Sequence, residues 1–159
     1  MLVERDAIRA IILTPENEVL LLRIHSPDDK ERFWWITPGG GRELDEPVED
    51  ALKRELKEEV SLNEYTVGPL VWRRQHTFNW AGKRIRQSER YYIVHADRFE
   101  PIMSDPQEVK VLNRFRWWPA AELANSRERL TPLSLADIVA RYLAQGPPQE
   151  PLEVEILAD

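Results

Sequence analysis

The chain contains no cysteine, which removes disulfides, thiolate metal ligands and cysteine nucleophiles together. No apolar run approaches the roughly 20 residues that a membrane-spanning helix needs. The acidic residues Glu4 and Asp6 stand early, and no long apolar stretch follows, so no signal peptide is expected. A soluble, cytoplasmic protein without a membrane partner is the expectation. Excess positive charge is also missing: 22 Lys and Arg face 28 Asp and Glu, a formal net charge of −6. A general nucleic-acid binder needs the opposite balance to displace counterions, so no nucleic-acid polymer is expected as a partner. That deficit does not exclude an enzyme for one small anion, because a bound cation can supply positive charge locally. The histidines are few and scattered, at His25, His76 and His95, and make no metal set.

What is present is enough for one domain with a core: 159 residues, 42% of them hydrophobic and 31% charged. Residues 7–13 and 19–24 read as two strands joined by a turn at Pro15 to Glu18. A charged loop leads to a short aromatic strand over residues 33–36, which ends at Pro38 and the glycines 39–41. The pattern from Pro47 to about Ser61 is helical, with Pro47 suited to the first helical position. Residues 67–78 and 83–96 suit a long hairpin, 111–118 a further strand, 119–124 a short helix, and 132–145 a longer one. Leu133, Leu135, Ile138, Val139 and Leu143 are available for packing on that last helix. A single domain is therefore expected over 1–145, followed by a Pro-rich tail over 146–159 whose alternation at 152–156 suits an added strand.

The chemistry concentrates on the helix that begins near Pro47. At about 100° per residue, Glu58 falls at about −60° from Glu55 and Glu59 at about +40°, so the three carboxylates share a face. Leu52, Leu56 and Val60 form the adjacent apolar stripe. The acidic face thus borders the buried one. On its own, Glu-x-x-Glu-Glu reads as a solvated face. Like charges at this spacing repel, and Lys53, Arg54 and Lys57 offset only part of that. An arrangement poor for stability but rich in hard oxygen donors suits a divalent cation such as Mg²⁺. The glycines just upstream let backbone approach a metal or phosphate closely.

The spacing is more specific than its parts. Gly40, five residues, Glu46, seven residues, then Arg54-Glu55-Leu56-Lys57-Glu58-Glu59-Val60-Ser61-Leu62 resembles the signature of the Nudix hydrolases. Every specified position of the 23 residues 40–62 agrees except Ser61, where the family has glycine in the turn that leaves the helix. The aromatic strand entering Pro38 and the segment 115–123 also look like this family. The resemblance implies a mixed sheet between helices, an α/β/α sandwich of the α+β type.

The resemblance also implies roles. Glu55, Glu58 and Glu59, with the Gly39 carbonyl, would bind Mg²⁺ or Mn²⁺, which would bridge the oxygens of a nucleotide-like diphosphate. The general base would be Glu55 or Glu58 on the helix, or a loop carboxylate, for which Glu108 and then Glu89 are the candidates. Arg54 and Glu46 would brace loop against helix. On the hairpin, Arg74 and Arg86 could clamp a phosphate while nearby aromatics stack a base. The bland reading is an exposed ribbon kept soluble by charge. Alternation splits these residues between two faces, so they cannot all line one pocket.

The implied activity is metal-assisted hydrolysis of the pyrophosphate linkage in a nucleoside diphosphate-X or nucleoside triphosphate. The alternative is a catalytically silent nucleotide- or diphosphate-sensing module of the same fold, although such modules commonly lose the carboxylates that remain here. An isopentenyl diphosphate isomerase of this fold would rely on a cysteine, which is absent. Homodimers are frequent in the family, and the tail or the cationic hairpin is the surface such an assembly would use.

Overall fold

The computed structural model describes residues 1–149 and 152–159. One mixed sheet organises it. Strands β1 (Leu2–Leu13), β2 (Glu18–His25), β3 (Phe33–Ile36) and β4 (Gly39–Gly41) precede helix α1 (Val48–Val60). The long strands β5 (Thr66–Trp80) and β6 (Lys83–His95) follow. Then come β7 (Leu112–Pro119), β8 (Leu130–Thr131), helix α2 (Leu135–Gln145) and β9 (Val154–Ala158). Short 3₁₀ turns lie at Glu108–Lys110 and Ala120–Asn125. The strand order is β8-β3-β2-β1-β6-β5-β9, with β4 pairing β1 and β7 pairing β2.

β1 lies centrally and is buried on both faces, as the near-continuous apolar run from Ala7 to Leu13 dictates. Ile8, Ala10 and Ile12 face α1, where Leu52, Leu56 and Val60 are fully buried against them. Ile11 and Leu13 face the other way and pack with Leu135, Ile138 and Val139 of α2. Each fully buried aliphatic side chain contributes about 1.5–3 kcal/mol relative to exposure. The two helices thus clamp the sheet between two apolar layers, the expected α/β/α sandwich with a mixed sheet.

Several local expectations change. β1 begins at Leu2, not Ala7, because its charged first half runs parallel to β6 from Leu2↔Arg84 to Leu13↔His95. The glycines at 39–41 form a strand on β1, with Ile8 opposite Gly40 and Arg9 opposite Gly39. Pro47 is the N-cap, in extended conformation (ψ 148°), and its carbonyl accepts from Ala51 N at 3.0 Å, so the helix proper starts one residue later. Leu133 and Leu143 do not pack as the helical pattern suggested. Leu133 precedes the helix and is 59% exposed, and Leu143 falls on the outer face of α2. In the tail, Glu150 and Pro151 lie outside the described residues. Beyond them β9 runs parallel to β5, with Arg73 opposite Val154 and Thr77 opposite Ala158.

Candidate active site

The helix carboxylates reach the sheet through the glycine strand. Gly39 has a φ of +139°, and a Cβ there would lie 2.1 Å from the Ile8 carbonyl oxygen, so only glycine fits. Its amide donates to Glu59 Oε2 at 3.1 Å. At Gly40 a Cβ would sit 2.6 Å from Glu55 Oε2, so the missing side chain is the space that the Glu55 carboxylate occupies. Glu59 is 1% exposed and Glu55 7%. Glu58 is the outer member of the trio, with an exposed side chain whose Oε2 lies 3.9 Å from Arg54 Nη1.

Arg54 braces this face. Its Nε and Nη2 donate to the two oxygens of Glu46 at 3.0 and 2.7 Å, its Nη1 to Glu55 Oε1 at 2.8 Å, and its Nη2 to the Gly41 carbonyl at 2.9 Å. The bidentate pair holds the Glu46 carboxyl down at about 2, through the Arg54 hydrogen bonds first and a backbone bond to Glu43 second. Glu55 and Glu59 go the other way. Burial lifts both, and for Glu59 the nearby Glu108 and Glu55 add to it against the pull of Arg9 and the Gly39 amide. Burial also raises Glu108, which the 3₁₀ turn brings toward Glu59.

These donors fit a hard divalent cation by their chemistry: carboxylate and carbonyl oxygens, partly desolvated and mutually repelling without a counter-charge. Among the described residues, no three acidic or histidine side chains are already closed around one point. Arg54 draws Glu55 aside and the Gly39 amide draws Glu59.

Ser61, the departure from the signature, closes the helix in left-handed conformation at φ 60°, ψ 35°. Its amide donates to Lys57 O and that of Leu62 to Leu56 O, both at 3.1 Å. A β-carbon is disfavoured at such an angle. The hydroxyl offsets that by donating to Ile102 O at 2.8 Å, while Ile102 N donates to Val60 O and Ser104 N to Glu58 O. The segment leading to Glu108 is thereby fastened to the end of α1.

Beside the glycines opens a cavity of about 500 Å³ between β1, β3, β5 and β6. Gly39, Gly40 and Glu108 line it, as do the arginines Arg5, Arg9, Arg32, Arg74 and Arg129. A protein of net charge −6 has collected cations here. The aromatic wall comprises Phe33, Trp34, Phe78, Trp80 and Tyr91, with Trp34 and Trp80 edge to face at 6.2 Å. In its floor, Glu89 takes Arg9 Nε at 3.2 Å, Arg74 Nε at 2.7 Å and Gln87 Nε2 at 3.1 Å. Burial would raise the Glu89 carboxyl, but Arg9 and Arg74 outweigh it and hold the group below its usual range. Burial leads in lowering Arg5, and the like charge of Arg9 adds to it. His76 is lowered mainly by burial, against the pull of Asp159, which its Nε2 meets at 2.8 Å.

Of the expected site residues, the structure gathers Glu46, Arg54, Glu55, Glu58, Glu59 and Gly39 around α1, and brings Arg74, Glu89 and Glu108 to the adjoining cavity. Arg86 is not brought there. Parity places it on the opposite side of β6, exposed and paired with Glu4. The sequence reading missed Arg9, whose Nη1 donates to the carbonyls of Thr37 at 3.3 Å and Gly39 at 3.1 Å. A signal existed: a lone arginine inside an otherwise apolar strand. Gln87 and Arg5 carried no comparable signal.

An acid-faced helix thus sits on a glycine strand beside a cationic cavity, within an α/β/α sandwich. The chain matches the NUDIX domain over residues 3–141 and belongs to that family. It is similar in fold to the MutT protein from Methanosarcina mazei Go1 (TM-score 0.63, 18% identity, over 92% of this chain and 97% of that one). A C. elegans Ap4A hydrolase in a binary complex is likewise similar (0.60, 19%, 88% and 98%). So is the NUDIX domain of Shewanella oneidensis NrtR complexed with ADP ribose (0.61, 17%, 88% and 88%). No curated protein matches the chain significantly by sequence. Among the described residues, no helix is long and apolar enough to cross a membrane.

Proposed function

We propose that the protein is a metal-dependent pyrophosphohydrolase that cleaves the diphosphate of a nucleoside diphosphate-X or nucleoside triphosphate. The observation that carries this reading is the contact of Gly39 and Gly40 with both halves of the site. The two glycines touch Glu59 and Glu55 on one side and line the arginine-rich cavity on the other. A diphosphate bridging that seam would meet carboxylates that hold a cation and guanidinium groups that hold its oxygens.

Glu55, Glu58 and Glu59, with the Gly39 carbonyl, would hold Mg²⁺ or Mn²⁺. When bound, such an ion neutralises charge on the diphosphate and acidifies a water. Arg54 positions Glu55 and ties Glu46 and Gly41 to the helix, so a change there would act through geometry. Arg9 and Arg5 are placed for phosphate oxygens, because each lies beside the glycine strand. Glu108 and Glu55 share the role of candidate base, since a raised carboxyl is closer to the working pH of a proton acceptor, and Glu58 stays a candidate by its place on the helix. Glu89 suits it poorly: its oxygens already serve Arg9, Arg74 and Gln87, and its carboxyl is held low. Its work is to position those three side chains. Ap4A, in the name of the C. elegans hydrolase, and ADP ribose, complexed with the NrtR domain, both contain phosphoanhydride linkages of the class proposed.

The test is phosphate or nucleoside monophosphate release from a panel of nucleoside triphosphates, sugar nucleotides and dinucleotides, with Mg²⁺ or Mn²⁺ and with chelator. Turnover that requires the metal and is lost in Glu58→Gln and Glu59→Gln is the expected result. Binding without turnover across the panel would favour the silent sensing module instead. Equal turnover in wild type and both variants would overturn the assigned site.

A further inference from the structure

The two ends of the sheet meet at the cavity. β8 and β9 are the outermost strands of the path from β8 to β9, yet Arg129, just before β8, and Asp159, just after β9, touch. Arg129 Nη2 lies 3.3 Å from Asp159 Oδ2. A second contact crosses the same seam, where Ser134 Oγ, ahead of α2, donates to Glu155 Oε2 of β9 at 3.1 Å. The sheet is curled until its edges touch, and the tail strand supplies the closing edge. Arg129, Asp159 and His76 all line the cavity.

Asp159 is held by main chain and side chain alike. Its amide donates to Thr77 O at 2.9 Å, continuing the ladder between β5 and β9, and Arg84 Nη1 donates to its main-chain oxygen at 2.7 Å. Its Oδ2 meets His76 Nε2 at 2.8 Å as well as Arg129. An ion pair as exposed as Arg129–Asp159 adds little to stability. Its consequence falls on the charge that a ligand meets.

That charge is uneven. Five arginines line the cavity with three carboxylates, Glu89, Glu108 and Asp159. On the side of the glycine strand guanidinium is in excess. Arg9 and Arg74 share the carboxylate of Glu89, and Arg5, against Gly41, forms no ion pair among the described residues. Glu108 lies toward Glu59 of α1, and Arg32, over the Trp34 ring, is solvent-exposed. At the seam the balance is even, one guanidinium to one carboxylate, and burial holds His76 toward its neutral form. Four strand spacings separate β4 from β9 through β1, β6 and β5, about 19 Å measured along the sheet. The two ends are therefore far enough apart to meet different parts of one ligand.

We propose that Asp159, delivered by the tail strand, is a specificity-determining residue: it neutralises the seam end of the cavity, so that end takes an uncharged part of the ligand and refuses a second phosphate. The anionic part is left to the glycine strand. The proposal rests on reading that strand as the diphosphate site, and it adds what the cavity asks of the group attached to the diphosphate.

The test is calorimetric binding of inorganic pyrophosphate to the full chain at low ionic strength, in chelator so that no turnover enters. Asp159→Asn keeps the size of the side chain and unmasks Arg129, so it should bind pyrophosphate about threefold or more tightly than wild type, or take up a second equivalent. Raised salt should erase the gain. The double variant Asp159→Asn with Arg129→Gln should return to wild-type binding. A smaller gain in an Asp159→Asn protein whose circular dichroism and melting match wild type would overturn the proposal. So would a gain that persists in the double variant. Should Asp159→Asn not fold, wild type can be tested by ligand. Ribose 1,5-bisphosphate should bind within about threefold of ribose 5-phosphate, and a larger advantage for the bisphosphate would overturn the refusal of a second phosphate. The expected gain without metal-dependent turnover would spare the role of Asp159 while sinking the hydrolase reading. Turnover without the gain would do the reverse.

Discussion

The carboxylates of α1 and the polar floor of β5 and β6 meet at the same glycine strand, yet they are assembled in opposite ways. Glu55, Glu58 and Glu59 lie within little more than one helical turn, and backbone geometry alone aligns them. Arg9, Arg74, Gln87 and Glu89 come from three strands, and Arg9 stands 80 residues from the carboxylate it meets. The first group is under-compensated: burial raises Glu55 and Glu59, and they would gain from a cation. The second is compensated within itself, with Glu89 held low between two guanidinium groups. A single molecule thus keeps one face that needs a partner to be electrostatically stable and another that is stable before any ligand arrives.

The sharpest break of this contrast is at the helix. Glu59→Gln and Glu58→Gln should lower metal-dependent turnover by at least about a hundredfold, more than loss of a mere bracing contact costs. Their urea unfolding midpoints should stay near wild type, or rise for Glu59, because a repelling buried charge is removed. Removing charge from the floor should do the opposite. Glu89→Gln leaves Arg9 and Arg74 facing each other uncompensated, and should destabilise the fold by about 3–5 kcal/mol in equilibrium unfolding.

Arg54→Ala should lower turnover by about 10- to 100-fold through misplaced Glu55 and Glu46. It has a second readout. With Arg54 present, Glu46 titrates at about 2, so the contribution of the pair is complete above the ordinary carboxylate value of 4.5 and fades as pH falls toward 2. Without Arg54, side-chain NMR should find Glu46 back near that ordinary value. A Glu46 that stays low would show that the Glu43 amide, not Arg54, governs it.

The smallest effect belongs to Ser61. Ser61→Ala keeps the left-handed strain and loses the bond to Ile102, a cost of about 1 kcal/mol in thermal unfolding. Ser61→Gly loses the same bond but relieves strain of about 1–2 kcal/mol, so it should be close to neutral. A large loss in Ser61→Gly would mean that the hydroxyl alone holds the segment before Glu108.

Some of this was legible without a structure. The spacing of the box, the buried border of the acidic face and the long hairpin follow from local pattern, and the bracing by Arg54 and Glu46 is what the family resemblance implied. The alternation along β5 was harder to follow. Register shifts between Val67 and Leu70 and between Leu70 and Trp72 change which side chains face inward. Val71, inside the second shift, is buried, and Arg74 and His76 are buried after it. Parity counted from one end of the strand therefore fails at the other. Arg86 lies beyond these shifts: it stands opposite Thr77, an odd number of residues from Arg74, so regular alternation turns the two arginines to opposite sides.

By itself, then, the sequence determined the helix face, its donors and the glycines that receive it. A helix repeats every few residues, and its geometry is complete within a turn. Only the tertiary structure decided what stands opposite. Which strand lies beside which is set by contacts distant in the chain. The inward faces of β1, β5 and β6 become one surface only after register is fixed. Arg9, Arg74, Gln87 and Glu89 acquire their arrangement at that step and not before.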